Sequence, residues 1–330
     1  MTMSWVIAMR RLHLAIALLA ALACQASALA DDWPSRPVRI VNTFAAGGAA
    51  DILARTVADH LSQVFGQQFF VETRAGAGGA IGVQSVIATP PDGYNFVITT
   101  VSLLVLLPIT NPTLGFDPRR DLVNIAYIAG SPVVLSVNAA SGMTSLADFL
   151  DRARKNNQPF TYSSSGVGGM GHLVGEYFAQ QAGIKIEHVP YKGAAQGLAD
   201  LAGGHIVFSA QTVSSSSGLL RNGALLGLAQ SASARMPDYP TIPTFKELGY
   251  PDIVSTVWFS LSGPAGLPDG IVRKVNREIV RAMNKPEAQE RLRQGGLIAQ
   301  PMSVEEFGAY IAGETARWKP VIERIGLVAK

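Results

Sequence analysis

The sequence predicts an α/β protein of two domains, each a mixed, mostly parallel sheet flanked by helices. Three observations carry that prediction. Short β-rich runs alternate with amphipathic helical runs from residue 37 onward, the pattern that builds parallel sheets covered on both faces. Two Gly-rich turns, 43–51 and 163–172, each follow a strand and open a helix, and they lie about 120 residues apart. Between them, the run 125–137 is long for one strand and is interrupted by Gly130 and Pro132. It reads as a broken strand crossing from one domain to the other.

Residues 1–30 read as an export leader. Arg10 and Arg11 form a positive start, Leu12 to Leu22 is apolar but too short to span a bilayer, and Ala28-Leu29-Ala30 is a small-residue cleavage site before Asp31. The sole cysteine, Cys24, lies inside this segment. Cleavage after Ala30 leaves a chain without a thiol; the alternative is a lipid-modified Cys24. Without Arg10 and Arg11, 25 basic residues face 24 acidic ones, so the mature chain is close to neutral. About 300 residues remain, enough for two domains with cores of their own.

The first alternating unit begins with a strand at 37–41. Asp51, Leu53, Ala54, Val57, Ala58, Leu61 and Val64 recur at helical spacing. A strand follows at 68–72, a helix at 80–88, and a Pro90-Pro91-Asp92-Gly93 turn into a strand at 94–99. The apolar run 101–109 ends at Pro108 and is read as core. The second unit has a helix at 145–155, a strand at 159–162, the second Gly-rich turn and a helix from 173. Next come a strand at 185–189, the loop 190–193, a helix at 194–202, and strands at 206–210 and 224–229. The chain is expected to return to the first domain near 230–235. A strand at 254–261 and helices at 268–283, 285–294 and 303–324 complete it. Ser303 with Glu306 three residues on is a capping box. The expected division is therefore 31–130 plus 232–330 for one domain and 131–231 for the other.

A strand that turns through Ser and Gly into a helix start is an anion cradle. Unpaired backbone N–H groups and the positive end of the helix dipole point into the turn. Glycine lets the backbone approach a ligand closely, and serine hydroxyls add donors. Two such cradles suggest two domains facing one small anion. Another reading competes. Gly166, Gly168 and Gly171 fit G-x-G-x-x-G, and Glu187 ends a strand about 20 residues on, where a dinucleotide fold keeps its ribose-binding acid. On that reading the chain is an exported NAD(P)-dependent oxidoreductase using Gly166–Gly171. A Gly-rich turn with no ligand is the third possibility.

Other chemistries find no support in the residues. His60, His188 and His205 lack metal-ligand spacing, and no mature cysteine assists them. Neither G-x-S-x-G nor H-E-x-x-H occurs. No basic cluster interleaved with aromatics points to nucleic acid. Asp51, just inside a helix start, reads either as a first-turn acid steadying the turn amides or as a contact to a ligand amine. His172 reads as a carboxylate donor or as a satisfied supporting histidine. Lys192 reads as a ligand contact or a solvated loop lysine, and Arg74 as structural.

Several stretches, in order, carry a resemblance. They are Trp33-Pro34-Ser35-Arg36-Pro37-Val38-Arg39-Ile40, Ala46-Gly47-Gly48-Ala49-Ala50-Asp51, Val71-Glu72-Thr73-Arg74-Ala75-Gly76-Ala77-Gly78-Gly79 and Pro91-Asp92-Gly93-Tyr94. Phe116-Asp117-Pro118, Tyr191-Lys192-Gly193-Ala194-Ala195 and Gly263-Pro264-Ala265-Gly266-Leu267-Pro268 complete the series. With them the chain resembles, over 33–328, a Bug-type receptor, the periplasmic substrate-binding protein of the tripartite tricarboxylate transporters.

The resemblance implies a type II clamshell, the two-domain periplasmic-binding-protein fold, which closes on a small carboxylate and delivers it to a membrane permease. It implies no enzyme activity, no cofactor and no metal, and a monomer in the periplasm. The first cradle would supply Phe44, Ala45, Gly47, Gly48 and Asp51. The second would supply Ser164, Ser165, Gly166, Gly168 and His172, with Tyr191, Lys192, Gly193, Gln211 and Thr212 near the cleft. The sequence departs from the family pattern at Asn42-Thr43, at Gly169 where a hydroxyl residue is usual, at Val207 where Asp is usual, and at Thr100-Val101-Ser102-Leu103. These changes make the site less polar and point toward a monocarboxylate or aromatic acid.

Overall fold

A computed structural model describes residues 33–111 and 113–327. The export leader, Cys24 and the cleavage site before Asp31 lie outside the described residues.

Among the described residues, nine strands, numbered in chain order, follow the order β2-β1-β3-β9-β4-β7-β5-β6, with β8 also paired to β4. β1 (Val38–Asn42) pairs in parallel with β2 (Phe69–Thr73) and β3 (Asn95–Thr100). β9 (Thr256–Pro264) joins antiparallel to β3. β5 (Phe160–Ser164) pairs in parallel with β6 (Ile186–Pro190) and β7 (Phe208–Thr212), while β8 (Leu225–Gln230) lies antiparallel to β4.

β4 (Leu122–Asn138) ties the two groups together. Gly130 and Pro132 do not break it, contrary to the sequence expectation. Residues 122–132 pair with β9, and residues 133–138 pair with β7 and β8. Pro132 has no N–H to donate, and it sits where the strand changes partners, so the missing donor falls at the seam between two ladders. β4 thus belongs to a first half-sheet with β1, β2, β3 and β9 and to a second with β5, β6, β7 and β8.

The return path lies later than expected. Residues 236–250 pack on the second half-sheet: the Phe245 ring lies 5.4 Å from that of Phe178, and Gln230 bridges to Thr244. The chain rejoins the first half-sheet only at Thr256. Ser231 Oγ accepts from the amide of Val133, and the amide of Ser255 donates to the carbonyl of Ser231, so both crossings run side by side.

Helices cover the sheets because their apolar residues fall on one stripe. α1 (Ala49–Phe65) buries Leu53, Ala54, Val57, Ala58 and Leu61 and ends at Gly66 in the left-handed conformation. α2 (Ala80–Ile87) follows β2. The apolar run after β3 is helical: a π turn over Ser102–Leu106 continues into Leu107–Thr110 through Pro108. Its residues are buried, as expected of core. In the second half, α3 (Leu146–Lys155), α4 (Met170–Ala182), α5 (Ala194–Ala202) and α6 (Val213–Arg221) follow the strands. α4 begins three residues before the sequence suggested, so Gly171 and His172 are helical. Phe208 meets Phe149 edge-on at a centroid distance of 5.1 Å and stacks on Tyr162 at 4.9 Å, within the core of this half. α7 (Asp269–Met283), α8 (Pro286–Gln294) and α9 (Val304–Ile325) finish the chain, α9 starting with the expected Ser303–Glu306 capping box.

Candidate ligand site

The termini of four helices meet at one cavity. It is lined by Ala49 and Ala50 of α1, Met170 and Gly171 of α4, Gly193 and Ala194 at the start of α5, and Thr212 and Ser215 at the start of α6. The centre of a water-sized sphere can reach about 70 Å³ of it. Phe44, Leu107, Val133, Val257 and Phe259 supply apolar wall, and no lining residue is charged. Each helix start brings N–H groups without intrahelical acceptors and the positive end of a dipole. The cavity is therefore electropositive without a cation, and apolar along its sides.

The predicted residues divide into three groups. Phe44, Ala45, Gly48, Ser165, Gly166, Gly193, Gln211 and Thr212 line the cavity. Gly168, His172, Tyr191 and Lys192 line a neighbouring, more open cavity, which shares Gly78, Leu107, Gly166 and Val167 with the first. Gly47, Asp51 and Ser164 line neither cavity.

In that third group the polar atoms bond within the protein. Asp51 Oδ2 accepts from the amide of Gly47 at 3.2 Å, and its Oδ1 lies 3.1 Å from the Arg55 guanidinium. Asp51 thus braces its own turn as a first-turn acid. Ser164 is fully buried and holds His188 Nε2 at 2.6 Å, while its hydroxyl also meets the carbonyl and the amide of Gly166.

The second cradle satisfies most of its own donors. Gly166 N–H donates to Ser164 Oγ at 3.3 Å, Gly168 N–H to His172 Nδ1 at 3.1 Å, and Gly169 N–H to the Gly166 carbonyl at 3.4 Å. Accepting at Nδ1 places the His172 proton on Nε2. His172 stacks on His188 at a centroid distance of 4.0 Å. Burial pushes both imidazoles down, His172 to about 4 and His188 to about 3. His172 accepts from the Gly168 amide as a neutral ring at the base of the turn. Lys192 lines the open cavity and directly precedes Gly193, the N-cap of α5.

The donors left over lie elsewhere. In the first turns of α1 and α5, the N-caps Gly48 and Gly193 offer no side-chain acceptor. The start of α5 comes close to the turn before α1: a Cβ on Gly193 would lie 3.0 Å from Ala45 Cβ and 3.4 Å from Ala45 N. Gln211 adds a side-chain donor. Ser165 Oγ donates to its Oε1 at 2.6 Å, fixing the amide, and its buried Nε2 has no partner. Thr100 Oγ1, also lining the cavity, is buried without a partner. Buried polar atoms without partners are costly, and among the described residues these two also line the cavity. Ala49, Ala50 and Ala194 line it too but were not singled out in the sequence, because no side chain marks a backbone donor.

Among the described residues, no group of three or more His, Cys, Asp or Glu is arranged to hold a metal, and no helix is long and apolar enough to cross a membrane.

The chain resembles known proteins over nearly its whole length. A family model described as "Tripartite tricarboxylate transporter family receptor" matches residues 53–327. A UPF0065 protein of Cupriavidus necator is 34% identical over 314 residues, covering 95% of this chain and 94% of its own length. BugT of Bordetella pertussis is 29% identical over 302 residues, covering 91% and 93%. Among solved structures, an R. palustris protein with adipate superposes with a TM-score of 0.87 at 34% identity, covering 89% of this chain and 99% of that one. The periplasmic binding protein BugD gives 0.85 at 25% identity, covering 90% and 100%.

Proposed function

The chain belongs to the tripartite tricarboxylate transporter receptor family, a family of solute-binding receptors rather than enzymes, and from that premise we propose what it binds and how. It captures a small carboxylic acid with an apolar body in the cavity between its half-sheets, by closure of two lobes, and delivers it to a membrane permease. The observation that carries this reading is the meeting of four helix N-termini in a cavity with no charged lining residue. A carboxylate there accepts charge-assisted hydrogen bonds from fixed dipoles, and the apolar walls take its hydrocarbon part. Adipate in the R. palustris relative supports the choice of a carboxylate.

In this reading the acid group sits between the starts of α1 and α5, at Gly48, Ala49, Ala50, Gly193 and Ala194. Gln211 Nε2 and Thr100 Oγ1 are its side-chain donors, and Ser165, Gly166 and Thr212 complete the wall. Asp51, Ser164, Gly168 and His172 hold the turns in shape. The lobes are 31–130 with the C-terminal part, and the segment from 131. The contacts of residues 236–250 favour a boundary near 255 over 231.

The G-x-G-x-x-G alternative loses its physical basis as well as its family. A pyrophosphate needs the loop amides, and those of Gly166 and Gly168 are already spent on Ser164 and His172. The receptor works in the periplasm as a monomer, exported by cleavage before Asp31. Mass spectrometry of the ligand released from natively purified protein, with a thermal-shift panel of carboxylic acids, tests the function. Failure of every acid to raise the melting temperature of ligand-free protein would sink it. N-terminal sequencing of the exported protein tests the leader, and a lipidated Cys24 would refute the cleavage site.

A further inference from the structure

Leu107 stands in the partition between the two cavities. Gly78, Leu107, Gly166 and Val167 line both of them. The two glycines bring the backbones of the two halves together: a Cβ on Gly166 would lie 3.6 Å from Gly78 Cα. Val167 is 60% exposed, whereas Leu107 is 6% exposed. Of these residues, only Leu107 therefore places a buried side chain in the partition. Its methyl groups lie between the halves. Cδ1 is 3.3 Å from where a Cβ on Gly78 would stand, in the first half, and Cδ2 is 2.9 Å from where a Cβ on Gly168 would stand, in the second. Glycine at both positions leaves the leucine its room. The helical run that carries Leu107 is also tied to the second half, because the amide of Met170, first residue of α4, donates to Ser102 Oγ at 3.2 Å in a buried contact.

We propose that Leu107 is a specificity-determining residue, which sets the greatest length of acid this receptor holds by closing the acid cavity against the open one. The inference rests on the acid group lying between the starts of α1 and α5. Ala49 and Ala50 of α1 pack in one core, and Leu107 and Met170 pack in another. A hydrocarbon body that leaves α1 and crosses the cavity runs toward the second of these. Val133, Val257 and Phe259 belong to β4 and β9, the strands that join the halves, so the cavity gains no depth on that side. The cavity is also small: the centre of a water-sized sphere reaches about 70 Å³ of it, against about 570 Å³ of the open cavity. Room for a longer body thus lies on the other side of Leu107.

The test is calorimetry on protein freed of endogenous ligand, with two series that grow by single carbons. One runs through the linear acids from butanoate to decanoate, the other through the phenyl acids from benzoate to 4-phenylbutanoate. In wild type, affinity should rise about fourfold per methylene while the body finds apolar wall. It should then fall by about tenfold or more at the length that meets Leu107. Leu107→Ala should move that break to acids about two carbons longer. Leu107→Val should move it by about one carbon, which keeps the test decisive if the alanine variant fails to fold. A side chain that only packed the halves together would, on truncation, weaken short and long acids alike and leave the break in place. A wild type without a break in the series it binds, or a folded variant with the break unmoved, overturns the assignment of Leu107. Absence of binding throughout both series overturns it as well. If the natively purified protein then also yields no carboxylic acid, the carboxylate reading falls with it.

Discussion

The amide of Gly168 donates to Nδ1 of His172, four residues later, at 3.1 Å. The bond requires a neutral imidazole, because a protonated Nδ1 has no lone pair to offer. The second Gly-rich turn is therefore shaped by a histidine that must stay uncharged. His188 stacks on it and is bonded through Nε2 to Ser164 Oγ.

This makes the lobe acid-sensitive. Burial lowers His172 to about 4 and His188 to about 3, below the usual value of 6.5. An unfolded chain takes up protons at these sites from about pH 6.5 downward while the folded chain does not, so stability is complete above that pH and falls as pH drops toward 4. At pH 5 each histidine should cost on the order of 2 kcal/mol. Glu176, whose carboxyl burial pushes upward, acts in the opposite direction and softens the slope. Denaturant melts between pH 7.5 and 4.5 should show this loss, and His172→Asn should flatten it. A wild-type midpoint that does not move would contradict the neutral pair.

Ser165 and Gln211 act as a unit. The serine hydroxyl holds Gln211 Oε1, which leaves Nε2 directed away from it. Gln211→Leu should weaken acid binding by about 1–3 kcal/mol, the worth of one hydrogen bond to a charged group. Ser165→Ala should cost less, about 1 kcal/mol, since the amide stays but is no longer fixed. Ser165→Asp places a like charge at the cavity wall and should abolish binding while the circular dichroism spectrum is retained. Wild-type affinity in the aspartate variant would move the carboxylate elsewhere.

Gly171 and Gly308 should respond to alanine with opposite signs. A Cβ at 171 would lie 2.2 Å from the Ala210 carbonyl oxygen, so α4 would have to lift off β7. A Cβ at 308, on α9, meets nothing within 4 Å. Gly171→Ala should destabilise by about 1–3 kcal/mol or more through overpacking, whereas Gly308→Ala should stabilise by about 0.5–1 kcal/mol through helix propensity. Thermal unfolding of the two variants checks the pair.

Much of this architecture was legible in the residues. Alternating apolar runs placed the strands and helices, and Ser303 with Glu306 placed the start of α9, because those signals are local. The same locality hid the bonding of the second turn. Ser164, Gly166, Gly168 and His172 look like ligand donors in sequence, and in the fold they bond one another within a few residues. Ala49, Ala50 and Ala194, which line the cavity, carry no mark in the sequence. The Ser102–Met170 bond spans 68 residues and depends on how two half-sheets meet along β4, so no window of sequence contains it. The return path was misplaced for a similar reason: Phe245 finds Phe178 only after both are folded.

The absence of charge in the cavity lining leads to the last prediction, on salt. A carboxylate held by a surface lysine would be screened over a Debye length of about 10 Å at 0.1 M. Here the partners are backbone N–H groups, an amide and a hydroxyl, inside a cavity whose lining includes no Lys or Arg. Helix termini contribute roughly 0.3–1 kcal/mol each when exposed and up to about 2 kcal/mol when partly buried, and burial also removes the ions that would screen them. Lys192 is the nearby cation that could break this rule, since it lines the adjoining open cavity. Affinity measured by calorimetry should therefore change by less than about threefold between 0.02 and 0.5 M NaCl. Lys192→Ala should leave both the affinity and its flat salt response intact. A steep fall with salt that disappears in Lys192→Ala would show that the acid sits in the open cavity under Lys192, and not between the starts of α1 and α5.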